Sequence, residues 1–382
     1  MTSRKRWFLF LLATVSFASR AQVTAVPESF RVLAFSDSPN THVQLKVLNG
    51  SYTLTAYTPD SIFTMEYDQH DVHPTYTFDG YLRLNRAECD SIRLSTTDTL
   101  VMRAKKDLGD WTEERYYTGQ LTLINGLLFV EAIVKTPYLA YLAGVVEAEG
   151  GTSPDTAYHK AQAVLARTWL FTNFHRYTQK GYNITDDQKS QAFKGIAHGR
   201  NANAILHAVR ATADTVALYH GKLIDGLYHS NSGGQTVAPE QVWSTSLPYC
   251  RTVLDPFSLK ASKATWSSEL PFERWNSYWE RQGVKLTLKQ WADFGNSLPA
   301  ERQASWTLGT TTVKIENVRR ELGLRSSHFT FTVQDSTIQL QGRGFGHGVG
   351  MSQQGAMVMA QMGFTWKEIL NFYFKELEFR PL

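Results

Sequence analysis

The sequence predicts an α+β protein, with a β-rich N-terminal region followed by helices mixed with further strands. Three observations carry this expectation. Residues 30–127 are a succession of short alternating runs broken by turn dipeptides. The first strong helical periodicity appears only after Ser153-Pro154. Further helices and a hairpin then share the C-terminal part, and strands followed by helices is the α+β pattern.

Taken in order, the chain opens with Arg4-Lys5-Arg6, an apolar run over residues 7–17, and Ser19-Arg20-Ala21. This is the layout of a secretory signal peptide, residues 1–21, too short to span a bilayer as a stable helix. Cleavage is expected after Ala21, which leaves Gln22 first in an exported chain. No cysteine stands there for a lipid anchor, and no later apolar run is long enough for a membrane span. Residues 22–114 form the expected β-rich region. Within it, residues 43–48, 63–67 and 99–102 read as strands, with turns at Asn49-Gly50 and Asp79-Gly80. Residues 121–134 read as a hairpin turning at Asn125-Gly126.

Ser153 can cap a helix whose first position suits Pro154. Apolar residues then recur at Ala157, Ala161, Val164, Leu165, Phe171 and Phe174 with helical spacing. A second helix fits residues 202–212. A hairpin follows, turning at His220-Gly221, and delivers the small polar loop His229-Ser230-Asn231-Ser232-Gly233-Gly234. Trp266, Trp275, Trp279, Trp291 and Trp306 are expected to be core rather than a sugar platform. Ser352 can cap a helix running to Gln361. Thr365 and Glu368 form a capping box for a last helix ending near Phe374.

The chain has 39 Lys+Arg against 35 Asp+Glu, a net charge of +4. Arg4, Lys5, Arg6 and Arg20 leave with the signal peptide, so 39 less these four gives 35 of each sign. A neutral mature chain excludes the electrostatic footprint of a nucleic-acid or membrane-surface binder. The two cysteines, Cys89 and Cys250, form no disulfide framework and no metal-site spacing, although export would permit one bond between them.

The densest chemical signal is Gly342-Arg-Gly-Phe-Gly-His-Gly-Val-Gly350, with glycine at every second place and His347 in the middle. An extended segment of this kind has one face without side chains, and reads as a floor against which a ligand can lie. Upstream, an apolar run from Tyr141 delivers Glu147 and Glu149 against Gly150-Gly151. A carboxyl among apolar residues is held toward its protonated form, as a general acid requires. On the helix that follows, Lys160 and Arg167 are seven apart and share a face with Ala163 between them. That face reads either as a groove wall or as a solvated surface. No nucleophile elbow, zinc-protease helix or phosphate loop is present. His229 and Ser230 are strand neighbours that point to opposite faces, which argues against a serine hydrolase.

Five blocks in order resemble the SpoIID/LytB family. They are Tyr141 to Glu149, Lys160 to Thr168, Tyr228 to Gly234, Arg320 to Leu324, and Gly342 to Gln354. The resemblance covers residues 115–382 and leaves residues 256–318 as a divergent insert. It implies a domain with helices packed on antiparallel sheet and the activity of a peptidoglycan lytic transglycosylase, acting on glycan strands stripped of stem peptides. It also implies that Glu149 is the catalytic acid and base, and that Glu147 faces solvent.

The same resemblance implies substrate-binding roles for Lys160, Gln162 and Arg167, and for Tyr228, His229, Ser230, Ser232 and the amides of Gly233 and Gly234. His347 and Gln353 complete the expected set. Two departures stand out: Gly150-Gly151 replaces the family's usual pair after the glutamate, and residues 186–193 lack the cysteines that accompany zinc in some members. No cofactor and no metal are therefore expected. Other members are thought to modulate wall amidases, so the alternative is a glycan-binding partner of a cell-wall amidase in the envelope or periplasm.

Overall fold

The computed structural model describes residues 27–382 except 86, 127, 151, 152 and 244; the expected signal peptide lies outside the described residues. The architecture is α+β, with a strand-rich N-terminal region.

Two sheets build that region. One is seven-stranded, in the order Ile184–Thr185, Ser29–Ala34, Val130–Pro137, Gln120–Asn125, Ser91–Ser95, Ser51–Tyr57, Ile62–Asp68. The other is six-stranded, in the order Arg115–Tyr117, Leu100–Lys105, His42–Val47, His73–Phe78, Tyr81–Leu84, Ala87–Cys89. Alternation sets their buried faces: Val43, Leu45 and Val47 on one, and Tyr52, Leu54 and Ala56 on the other, meet in one core. Asp79-Gly80 has positive φ at both residues, 49° and 80°, and closes a two-residue hairpin from Phe78 to Tyr81. Strands from both sides of residue 115 share the seven-stranded sheet and its core, so hydrogen bonds cross the boundary expected there.

The helices are α1 (Tyr138–Gly150), α2 (Thr156–Asn173), α3 (Ala202–Ala211), α4 (Pro239–Val242), α5 (Phe272–Arg281), α6 (Leu288–Ser297), α7 (Ile315–Leu322), α8 (Gln353–Gln361) and α9 (Trp366–Tyr373). The first helix therefore begins at Tyr138, not at Ser153. Residues 141–146 are buried on every side, so this helix has no amphipathic stripe by which to be read. At the start of α2 the capping position belongs to Asp155, while Ser153 Oγ instead accepts the Asp155 amide at 3.2 Å.

Helix α2 lies between two cores. Ala163, Ala166, Leu170 and Phe171 enter the first, while Tyr158, Ala161, Val164 and Leu165 enter a second that includes Ala356, Met359, Ile369 and Leu370. Small residues along α2 let both sets of neighbours approach. Ser352 accepts the Gly355 amide to open α8, and Thr365 with Glu368 closes a capping box on α9, as the sequence predicts.

Residues 265–343 form a lobe of their own around Trp275, Trp279, Trp291 and Trp306, all buried, so the expected tryptophan core is observed. A three-stranded sheet, with Thr337–Arg343 between Thr265–Pro271 and Phe329–Gln334, covers that core. Cys89 and Cys250 are buried and free. No helix among the described residues is long and apolar enough to cross a membrane.

Candidate active site

The last turn of α1 carries Glu149 to the meeting point of α2, the 186–193 loop and the strand Tyr228–His229. Glu149 Oε1 accepts the backbone N–H of Ala192 at 2.9 Å. The Tyr228 phenol also favours the charged carboxylate. Gln191 sets that phenol: its Nε2 donates to Tyr228 Oη and to the Ala166 carbonyl, each at 3.3 Å, while Tyr141 Oη donates to its Oε1 at 3.3 Å. Gln353 Nε2 donates to the Glu149 carbonyl at 3.0 Å, satisfying one of the free acceptors at the end of α1.

Tyr158 packs against the same helix end. A methyl group at Gly150 would lie 1.8 Å from its hydroxyl, so only glycine lets the ring sit there. Gly151 lies outside the described residues. Tyr141, Tyr158 and Gln191 are buried, whereas Glu149 and Tyr228 remain partly open to solvent.

Burial raises the Glu149 carboxyl above its ordinary value of 4.5, and the Ala192 amide and Tyr228 phenol oppose that rise by binding the charged form. Glu149 in turn pushes the phenols of Tyr228, Tyr158 and Tyr141 upward, in addition to the effect of burial. The other carboxylate that acts on Tyr141 is Asp186. That group is fully engaged: it pairs with Arg115 Nη1 at 2.7 Å and accepts the amides of Phe35 and Ser36 at 2.6 and 2.8 Å. Asp186 thereby ties the 186–193 loop to the N-terminal sheets.

Gln162 follows Tyr158 by four residues and shares its face of α2. It is fully buried, and its amide atoms have no partner among the described residues. Lys160 lies between these two in sequence and projects away from them, beside Phe364, Thr365 and Trp366. Arg167 corrects the expectation of a cleft cation. Its side chain is 0% exposed, with Nε on the Tyr138 hydroxyl (2.5 Å), Nη1 on the Thr215 carbonyl (2.9 Å) and Nη2 on the Val209 carbonyl (3.2 Å). It fastens α2 to α1, α3 and the strand Thr215–Tyr219. Glu147 is not a free surface group either, since it is 22% exposed and accepts the amides of His198 and Gly199 at 3.1 and 3.0 Å.

The 229–234 loop is bound inward. Ser232 is 1% exposed, donates from Oγ to Asp255 Oδ2 at 2.7 Å and lies 2.7 Å from Ser258 Oγ. The Gly233 amide donates to Asn231 Oδ1, and the Gly234 amide to Ser258 Oγ. These three groups are occupied by the protein and are not offered to a ligand. Ser230 is partly exposed, 3.5 Å from Lys263 Nζ.

The glycine run also differs from a bare floor. Gly344, Gly346, Gly348 and Gly350 all have positive φ, so the segment is not an extended strand. A Cβ at Gly342 would meet the Trp266 ring at 2.2 Å, and one at Gly350 the Leu227 carbonyl at 2.2 Å. The protein's own segments cover the run. Its product is the placement of His347, whose Nδ1 accepts the Val349 amide at 3.1 Å. The ring is 5.5 Å from that of His229 and 5.1 Å from that of Trp243, itself 39% exposed. Burial, with Arg319 and Arg302 nearby, lowers His347 to about 4, and His229 is lowered for the same first reason. Both are neutral at pH 7.

The structure brings Glu149, Tyr228 and Gln353 together with Gln191 and Tyr158, which sequence reasoning did not single out, and sets Trp243 beside His347. Gln191 lies within residues 186–193, an irregular stretch with no helical or strand period to mark it. Among the described residues, no group of three or more His, Cys, Asp or Glu side chains could hold a metal ion.

A family model described as stage II sporulation protein, SpoIID, matches residues 129–219, which include Glu149, Gln162, Arg167 and Gln191. The chain is 29% identical over 263 residues to stage II sporulation protein D of Bacillus amyloliquefaciens, covering 65% of this chain and 75% of that one. Against stage II sporulation protein D of Bacillus subtilis (strain 168), identity is 29% over 259 residues, covering 64% and 75%. The amidase enhancer of the same organism is 30% identical over 285 residues, covering 61% of this chain and 39% of the enhancer. Over the matched stretches the chain is similar to stage II sporulation protein D and to the amidase enhancer.

Proposed function

We propose that the protein is an exported lytic transglycosylase that cuts the bond from N-acetylmuramic acid to N-acetylglucosamine in peptidoglycan strands free of stem peptides. The observation that carries this reading is the Glu149 carboxyl. It is raised by burial, lodged among Tyr228, Tyr158 and Gln191, and still partly open to solvent. The SpoIID relatives and the amidase enhancer support a role at the cell wall.

In the first step protonated Glu149 gives its proton to the glycosidic oxygen. The C1–O bond breaks with its electron pair going to that oxygen, and the muramoyl C1 becomes oxocarbenium-like. Glu149 is then a carboxylate, stabilised by the N–H of Ala192 and the phenol of Tyr228. It takes the proton from the muramoyl O6, which closes on C1 to give the 1,6-anhydro sugar. No water enters, and one carboxyl serves twice. A hydrolase with two carboxylates would need a second at a defined separation, and Asp186 is engaged with Arg115.

Incubating the chain from Gln22 onward with peptide-free strands and weighing the products tests this reading. Anhydromuramoyl ends are expected, and reducing ends would overturn it.

The amidase-enhancer relative favours a second reading, a glycan-binding modulator of a wall amidase. In that case the strands bind without being cut, and stimulation of an amidase persists in Glu149→Gln.

A further inference from the structure

The lobe of residues 265–343 holds a hollow of about 520 Å³ that the Glu149 centre does not use. It opens on the polar face of the three-stranded sheet. Trp266, Leu340 and Phe331 turn inward to the aromatic core, so their neighbours Ser267, Gln341 and Thr330, aligned in register across the sheet, line the hollow. Arg343 and His328 stand at its end.

Two groups there lack partners. Arg343 is exposed, and its guanidinium takes part in no ion pair among the described residues. His328 is 8% exposed; its Nε2 lies 3.3 Å from the Ala300 carbonyl, while Nδ1 is buried without a hydrogen-bond partner. Burial first, then Arg302 and Arg343, lower His328 to about 4. The ring is neutral at pH 7, and with Nε2–H donated to Ala300 its Nδ1 is a free acceptor. The hollow thus offers hydroxyls, one amide and one planar cation.

Its position ties it to the candidate active site. A Cβ at Gly233 would lie 2.7 Å from Arg343 Cβ, so the hollow begins where the 229–234 loop ends. From Tyr228, at Glu149, to Gly233 an extended backbone spans at most about 20 Å, within reach of a short oligosaccharide.

We propose that this hollow is a glycan subsite away from the cleaved bond, in which Arg343 binds the carboxylate of an acidic amino sugar. The inference rests on the transglycosylase reading for the identity of that sugar: a muramic residue whose lactyl group, freed of peptide, is a carboxylate. In a peptide-bearing strand the same group is an uncharged amide. Arginine's planar fork matches a carboxylate through two parallel hydrogen bonds, and an amide cannot return both. The hollow therefore favours stripped strands.

The test is binding of the disaccharide N-acetylglucosaminyl-N-acetylmuramic acid, which lacks the bond that the enzyme would cut. N,N′-Diacetylchitobiose and the lactyl methylamide of the same disaccharide serve as uncharged comparisons. The wild-type chain should prefer the acid. Arg343→Gln should weaken the acid by about tenfold or more, given the strength of charged hydrogen bonds, and leave the uncharged ligands unchanged. An equal loss for all three ligands, or none for any, overturns the proposal. Because no bond is cut, the two readings fail separately: strands left uncut with the Arg343 preference intact would reject only the transglycosylase.

Discussion

Gln191 Nε2 donates to the Tyr228 phenol at 3.3 Å, and that phenol favours the charged form of the Glu149 carboxyl. That effect works against burial, which favours the neutral form. A general acid needs the second effect to win before bond cleavage, and the first to be ready immediately after it.

Removing the phenol should therefore move the pH profile in a known direction. The acid form of Glu149 is lost as pH rises through its raised value. Tyr228→Phe deletes an interaction that lowers that value, so the alkaline limb of kcat/KM should shift to higher pH. Rates across pH 4–9 on peptide-free strands read this, with pH bounds bracketing roughly the carboxyl and histidine ranges. An unmoved limb with a uniformly lower rate would mean that the phenol only positions substrate.

Glu147 separates the two carboxylates of the same helix. Its oxygens hold the amides of His198 and Gly199, and among the described residues it shares no hydrogen-bond partner with Glu149. Glu147→Ala should lower stability by about 1–2 kcal/mol through the orphaned amides, with glycan cleavage unchanged. Chemical denaturation and product analysis on one preparation test both halves.

Arg167 and Lys160 should behave oppositely despite their shared helical face. Arg167→Ala leaves buried acceptors at Thr215 and Val209 and a cavity, and should cost about 3 kcal/mol or more. Lys160→Ala, at a partly exposed site, should fall within about 0.5 kcal/mol. Thermal unfolding midpoints compare them. Stable, glycan-blind Arg167→Ala would restore a binding role.

What the sequence made legible was local. Ser352, the Thr365–Glu368 box and the Asp79-Gly80 and His220-Gly221 turns each state their structure within four residues. Helix α1 was hidden because burial on all sides erased its periodicity. Helical spacing put Arg167 on one face with Lys160, but spacing does not say that α1 and α3 cover one end of that face. Alternating glycine suggested a strand with a free face. Positive φ at Gly344 and Gly350 turns the segment into a tight path packed on residues 227–233, a tertiary fact that one segment's sequence does not contain. Glu149 was legible as a carboxyl ending an apolar run, whereas Gln191 lies in an irregular loop with no period to mark it.

Glu149→Gln compared with the wild-type chain is the most direct test of the central claim. The neutral amide mimics the protonated acid and cannot give up its proton, so the turnover of peptide-free strands to anhydromuramoyl products should fall by about two to four orders of magnitude. The fold should persist. The raised carboxyl binds its proton more tightly when folded, so it opposes stability as pH rises past 4.5. The amide removes that penalty, and its unfolding midpoint at pH 7 should match or exceed the wild type's. Anhydro products formed by Glu149→Gln at the wild-type rate would contradict the assignment of Glu149 as the acid and base.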